Sequence, residues 1–161
     1  MAAKEKVVYE HRQIGWVTIV LIFVVVTALS IALGISERTA GQRDAFNAIV
    51  FALAVIAAIF SSLQIRITKE YIAWWFGLPF IGRRVRLKEI DSVAAIRTNI
   101  VEGWGIHLTW HGWLWNVSGF NAVQIVLRSG TRYAVGTPEP QAVIDAIYRA
   151  RPAIASRSRK A

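Results

Sequence analysis

The sequence predicts an α+β membrane protein, in which an N-terminal helical hairpin crosses a bilayer and a small β-rich domain follows, closed by one C-terminal helix. Three observations predict it. Two long apolar runs fill residues 13–65, parted by a short polar insert at 37–44. Residues 64–135 then alternate apolar and polar in short segments broken by glycine. Residues 138–151 finally carry Val143, Ile147 and Ala150 at i, i+4, i+7, the spacing of one helical face.

The first run carries no formal charge between Arg12 and Glu37. It exceeds the roughly 20 residues a spanning helix needs, and is too long for the apolar core of a signal peptide. A second run of the same length, starting at Ala45, follows the insert at once. So short a connector returns the chain to an antiparallel neighbour, which predicts transmembrane helices over about 13–35 and 45–64 within an N-terminal unit 1–65. Lipid leaves no other backbone arrangement open to such runs. Trp16 is placed at the interface, where an indole is favoured. Residues 1–11 are mixed in charge and read as a frayed or helical lead-in. Neither expected span holds an ionisable side chain, so the hairpin reads as an anchor and not as an ion path.

The chain of 161 residues has a net charge of +9, and the placement of that charge orients the protein. Lys4, Lys6 and Arg12 precede the first run, Arg38 and Arg43 lie in the connector, and fourteen Lys/Arg follow the second run. Basic residues near helix ends mark the cytoplasmic side, so both termini are expected there. Anionic head groups attract such segments, which favours a membrane surface over nucleic acid as the basic domain's partner. The chain has no cysteine, which excludes disulfides, thiolate nucleophiles and cysteine-held metals.

In the domain, expected to occupy residues 66–152, strands are predicted at 64–68 and 71–76 around a tight turn at Lys69 and Glu70. Others follow at 81–87, 91–97, 106–110 and 113–117. The clearest hairpin joins 122–128 to 131–135 through Ser129 and Gly130, a favoured two-residue connection. Thr137 and the prolines at 138 and 140 suit a helix start over about 138–151, and Pro152 ends it. A basic tail, 153–161, is expected to be disordered. The elements fit a small bent sheet plugged by the helix.

The segments Gly103-Trp104-Gly105, Gly112-Trp113-Leu114-Trp115-Asn116-Val117-Ser118-Gly119 and the 122–130 strand and turn, with Gly136-Thr137-Pro138-Glu139-Pro140, resemble the bacterial pleckstrin-homology-like domains of small membrane proteins. Trp75-Phe76-Gly77-Leu78-Pro79 and Leu87-Lys88-Glu89-Ile90-Asp91 are similar to that family's early strands and the turn before its fourth. The likeness covers about residues 63–150, and a preceding transmembrane hairpin is frequent in the family. The resemblance implies a bent antiparallel barrel of two near-orthogonal sheets closed by the C-terminal helix, in a bacterial inner membrane. Chemistry does not follow from such a fold. Eukaryotic relatives bind phosphoinositides around the first hairpin, which here offers only Arg66 and Lys69, so that specificity is not carried over.

The strongest site candidate is the run Arg83-Arg84-Val85-Arg86-Leu87-Lys88. On a strand Arg84, Arg86 and Lys88 share one face, backed by Val85 and Leu87 on the other. Arg66 and Lys69 join them as candidate contacts to anionic lipid or a protein partner. Trp74 and Trp75 must face opposite sides, so one fills the core and the other meets an interface. Trp113 and Trp115 share a face with Val117 and are expected in the core.

His107 and His111 have a helical zinc spacing, yet four steps along a strand span roughly 13 Å, too far for one ion. Glu102, His107 and Ser118 show no spacing that links base, orienter and nucleophile. No cofactor is expected. The reading is a non-enzymatic, membrane-anchored module on the cytoplasmic face that binds a protein partner, itself or anionic head groups. An accessory subunit or enzyme of envelope metabolism is the alternative.

Overall fold

The computed structural model describes residues 6–32, 39–78 and 80–158. These form nine strands and four α-helices in two sheets, an α+β architecture among the described residues. The first sheet has the order β1-β2-β3-β4, from β1 (Val7–Ile14), β2 (Ser62–Thr68), β3 (Tyr71–Phe76) and β4 (Gly82–Arg86). The second has the order β5-β8-β9-β7-β6, from β5 (Ile90–Arg97), β6 (Gly105–Thr109), β7 (Gly112–Asn116), β8 (Asn121–Leu127) and β9 (Arg132–Gly136).

Residues 7–14 form an edge strand where a lead-in was expected. Its partner is β2, in a register from Val7↔Thr68 to Ile14↔Ser62. Its charged residues Glu10 and Arg12 lie on solvent-facing positions, where they also discourage edge-to-edge pairing.

Between these paired strands the chain makes two helices, α1 (Trp16–Ala32) and α2 (Ala40–Phe60), which contact one another. One residue, Gly15, separates β1 from α1, and one, Ser61, separates α2 from β2. Both helix boundaries therefore differ from expectation. Gln13 and Ile14 are strand, Ser62 to Gln64 are strand, and α2 begins early enough to place Arg43 and Asp44 in its first turns. The ladder hydrogen bonds of β1 and β2 claim the end residues, a pull that apolarity alone does not reveal. Within α2, Gly41–Phe60 is long and apolar enough to cross a membrane, and none of its best window is buried. α1 is a shorter apolar helix, also without a buried residue. Residues 33–35 of the expected first span, and residues 37 and 38 of the polar insert, lie outside the described residues.

The core sits between the sheets. Leu63, Ile65 and Ile67 of β2 alternate inward, as do Ile72, Trp74 and Phe76 of β3, facing Val123, Ile125, Tyr133 and Val135. Trp74 meets Tyr133 edge-on at 5.3 Å between ring centroids, and Trp115 stacks on Phe76 at 5.7 Å. The second sheet is not wholly antiparallel. β8 and β9 form the expected hairpin, but β9 slots between β8 and β7 and runs parallel to β7.

α3 (Pro140–Ala150) buries Val143, Ile144, Ala146 and Ile147 and touches β1, β2, β5 and β8, so it closes an end common to both sheets. The segment expected to be a disordered tail makes α4 (Pro152–Ser158) instead, packed on β5 and α3. Its anchor is Ile154, which is 1% exposed. Pro152 does end α3, and it also starts the next helix, where a missing N–H costs nothing. Residues 159–161 lie outside the described residues.

Deleting buried aliphatic groups costs about 2–5 kcal/mol each when the cavity cannot collapse. Ile154→Ala should therefore destabilise the detergent-solubilised chain in a thermal melt about as much as Ile147→Ala. A melt unchanged by Ile154→Ala would show α4 to be a passive tail.

Candidate functional site

The alternation of β4 places Val85 in the core and leaves Arg84 and Arg86 exposed, and Leu87, just past the strand, is buried as well. Lys88 is also exposed, on a 3₁₀ turn (Leu87–Glu89) instead of a strand. Lys69 joins them from the β2–β3 turn, and Arg151 from the α3–α4 junction. With Glu70, Tyr71 and Glu89 these residues line an open concavity of about 680 Å³. Five cations and two carboxylates face it, so its field favours an anion. Tyr71 pairs with Arg86 across the strands, and its ring lies 3.4 Å from the Arg84 guanidinium carbon, a contact that orients the cation.

The concavity lies at the end of the sheet remote from α1 and α2. Ser62, Phe76 and Gly82 are the strand ends beside the helix roots, whereas Thr68, Tyr71 and Arg86 are at the opposite end. Six strand steps from Ser62 to Thr68 amount to about 20 Å.

The other sequence candidates go elsewhere. Arg66 donates to Glu10 Oε1 from Nη2 at 2.7 Å and from Nε at 3.2 Å, and its guanidinium lies 5.3 Å from the Trp75 ring. Glu10's hydrogen bond pushes the Arg66 pKa further up. The pair is exposed, and such bridges contribute under about 1 kcal/mol, but it engages the guanidinium. Arg83 turns toward the second sheet and lies 5.8 Å from the Tyr133 ring. Trp75 faces outward and, with Arg66, Arg83 and Arg84, lines a separate hollow of about 340 Å³. Trp74 is fully buried and belongs to the core. Sequence reasoning missed Arg151 and Tyr71. No local signal marks Arg151, because α3 and α4 bring it to the concavity from the far end of the chain.

A second polar cluster assembles where no sequence spacing linked its members. Glu102 is 4% exposed, and its Oε1 accepts from His111 Nδ1 at 2.8 Å. Its Oε2 accepts from the Asn99 N–H at 3.0 Å, and its main-chain oxygen meets His107 Nε2. The arrangement ties the β5–β6 connection to the β6–β7 hairpin. Ser118 takes no part. Its hydroxyl donates to the Ile14 carbonyl and accepts from Gln13 Nε2 beside the helix roots. Among the described residues no three His, Asp or Glu gather as metal ligands.

The core expectation fits Trp115 but not Trp113, which is 46% exposed. Trp113 pairs with Leu108 of β6, the last strand of its sheet, and Leu108 is itself 68% exposed. This corner carries no covering layer among the described residues.

Compared with protein-family models, curated proteins and solved structures, the chain matches none.

Glu102→Ala leaves the Asn99 N–H and the His111 Nδ1–H without their acceptor, and each such hydrogen bond contributes about 0.5–1.5 kcal/mol net. A lower melting temperature and faster amide exchange at Asn99 are expected. Unchanged protection there would show that something other than Glu102 holds the connection.

Proposed function

We propose that the chain is a non-enzymatic, membrane-anchored module whose basic concavity receives an acidic segment of a cytoplasmic protein partner. In this reading α1 and α2 cross the bilayer as an antiparallel hairpin. Support comes from the length and bare apolar surface of α2, from the uncharged α1 beside it, and from the β1–β2 pairing that sets both helix roots side by side. The basic flanks put the domain on the cytoplasmic side of what we take to be a bacterial inner membrane. Two sheets closed at one end by α3 support the pleckstrin-homology-like resemblance, while the parallel β7–β9 pair departs from it.

The observation that carries the choice of partner is the position of Lys69, Arg84, Arg86, Lys88 and Arg151. The potential of a lipid surface fades over a Debye length, about 8–10 Å in physiological salt. A cluster roughly 20 Å of strand away from the helix roots is thus poorly placed for the head groups of its own bilayer. A second copy is also disfavoured as occupant. After residue 65 the chain carries fourteen Lys/Arg against Glu70, Glu89, Asp91, Glu102, Glu139 and Asp145, so two such domains repel.

In nanodiscs of neutral lipid, a fluorescent oligoglutamate peptide should bind the full-length chain in a salt-sensitive way. Combined Arg86→Glu, Lys88→Glu and Arg151→Glu should weaken it by about tenfold or more, equivalent to about 1.4 kcal/mol. Arg12→Glu with Arg97→Glu, near the helix roots, should leave it unchanged. Equal losses from both sets would reduce the concavity to general surface charge.

A further inference from the structure

We infer that the end of the domain at the helix roots is itself seated in the bilayer interface, with Leu78, Phe80 and Trp104 at head-group depth and Arg12 and Arg97 among the lipid phosphates. This rests on the proposal that α1 and α2 cross the membrane and adds a lipid-contacting surface outside them.

The roots have no slack. The Gly15 N–H donates to the Ser61 carbonyl at 2.7 Å, so the β1–β2 pairing extends to the residue immediately before α1. A Cβ added at Gly15 would lie 2.6 Å from the Phe60 carbonyl oxygen, which leaves no room for a linker to swing. The uncharged part of α2 runs from Ala45 to Phe60. Its sixteen residues, at about 1.5 Å each, cover about 24 Å of a hydrocarbon core near 30 Å. A short span is met by thinning of the bilayer and by drawing its flanks inward. What flanks this one is the folded domain.

The side chains at that end suit the position. The β3–β4 connection lies against the last turn of α2, since a Cβ at Gly77 would be 2.6 Å from the Ala58 oxygen and 3.0 Å from the Ile59 oxygen. It presents Phe80, 78% exposed, and Leu78, 41% exposed, beside the root. On the other flank Trp104 lines a cleft of about 290 Å³ with Val17, Thr18 and Leu21 of α1 and Phe60 of α2. Its indole N–H donates to the Gly119 oxygen at 3.3 Å, a polar tip on an apolar body of the kind that collects at membrane surfaces. Arg12, opposite Gln64, and Arg97, opposite Asn121, are exposed cations within a few residues of the roots. Exposed or half-exposed apolar side chains beside the roots, with cations within a few residues of them, are the mixture that suits an interfacial surface.

Because the chain has no cysteine, one introduced residue carries one nitroxide. Full-length Phe80→Cys, Val55→Cys and Arg128→Cys chains, spin-labelled in liposomes of zwitterionic and anionic lipid, are compared by collision with oxygen and with a water-soluble nickel complex. The Phe80 label should lose collisions with nickel and gain them with oxygen relative to Arg128, at a depth shallower than Val55. A Phe80 label as aqueous as Arg128, with Val55 in the acyl chains, overturns the inference and spares the spanning helices. If Val55 is aqueous as well, the membrane reading fails and takes the inference with it. Phe80 is largely exposed, so its replacement leaves the core intact.

Discussion

The pairing of β1 with β2 is the constraint on which the rest depends. Residues 48 to 61 positions apart are held in antiparallel register from Val7↔Thr68 to Ile14↔Ser62, and everything between them is forced to leave and return at one end of one sheet. The two apolar helices are thereby fixed as an extension of that ribbon. Close packing at Gly15, where a Cβ would press on the Phe60 carbonyl, and the Gly15–Ser61 hydrogen bond carry the pairing into the helix roots. The same register decides which strand ends face away, and so where the Lys69–Arg86 end of the sheet can reach.

An end-to-end polarity results. Bare apolar helices stand at one end, a collar of Leu78, Phe80 and Trp104 lies beside their roots, and a basic concavity occupies the far end. Between them the sheets share a core in which Trp74, Phe76, Trp115 and Tyr133 interlock. α3 and α4 complete that core and carry Arg151 to the concavity. The basic concavity is thus joined to the helix roots through the strands of the first sheet, a distance set by strand length and not by a flexible tether.

Much of this was legible wherever a pattern is local. Alternation put Val85 and Leu87 inside and separated Trp74 from Trp75, because each strand position has one face. The β8–β9 hairpin and the buried face of α3 were equally plain. What escaped depended on distant partners. β1 shows little alternation of its own and becomes a strand only against β2. A single isoleucine, Ile154, is too small a signal for a helix, yet its burial fixes α4. The parallel β7–β9 pair required knowing that β9 inserts beside β7. Trp113 matched the periodicity of Trp115, but a pattern says which face a residue takes and not whether another layer covers it. Within the site, the β4 cations were readable from one strand, whereas Arg151 and the Glu102–His111 contact arise only when separate segments converge.

The central claim is that two helices carry the chain out and back across a bilayer, leaving the concavity on the side of the termini. Sealed membrane vesicles of both orientations, from cells expressing single-cysteine chains and treated with an impermeant maleimide, test it most directly. Lys88→Cys is expected to react only where the cytoplasmic face is outward, and Gln42→Cys only in the opposite orientation. Reaction of both positions from the same side would contradict the crossing, and with it the placement of the concavity.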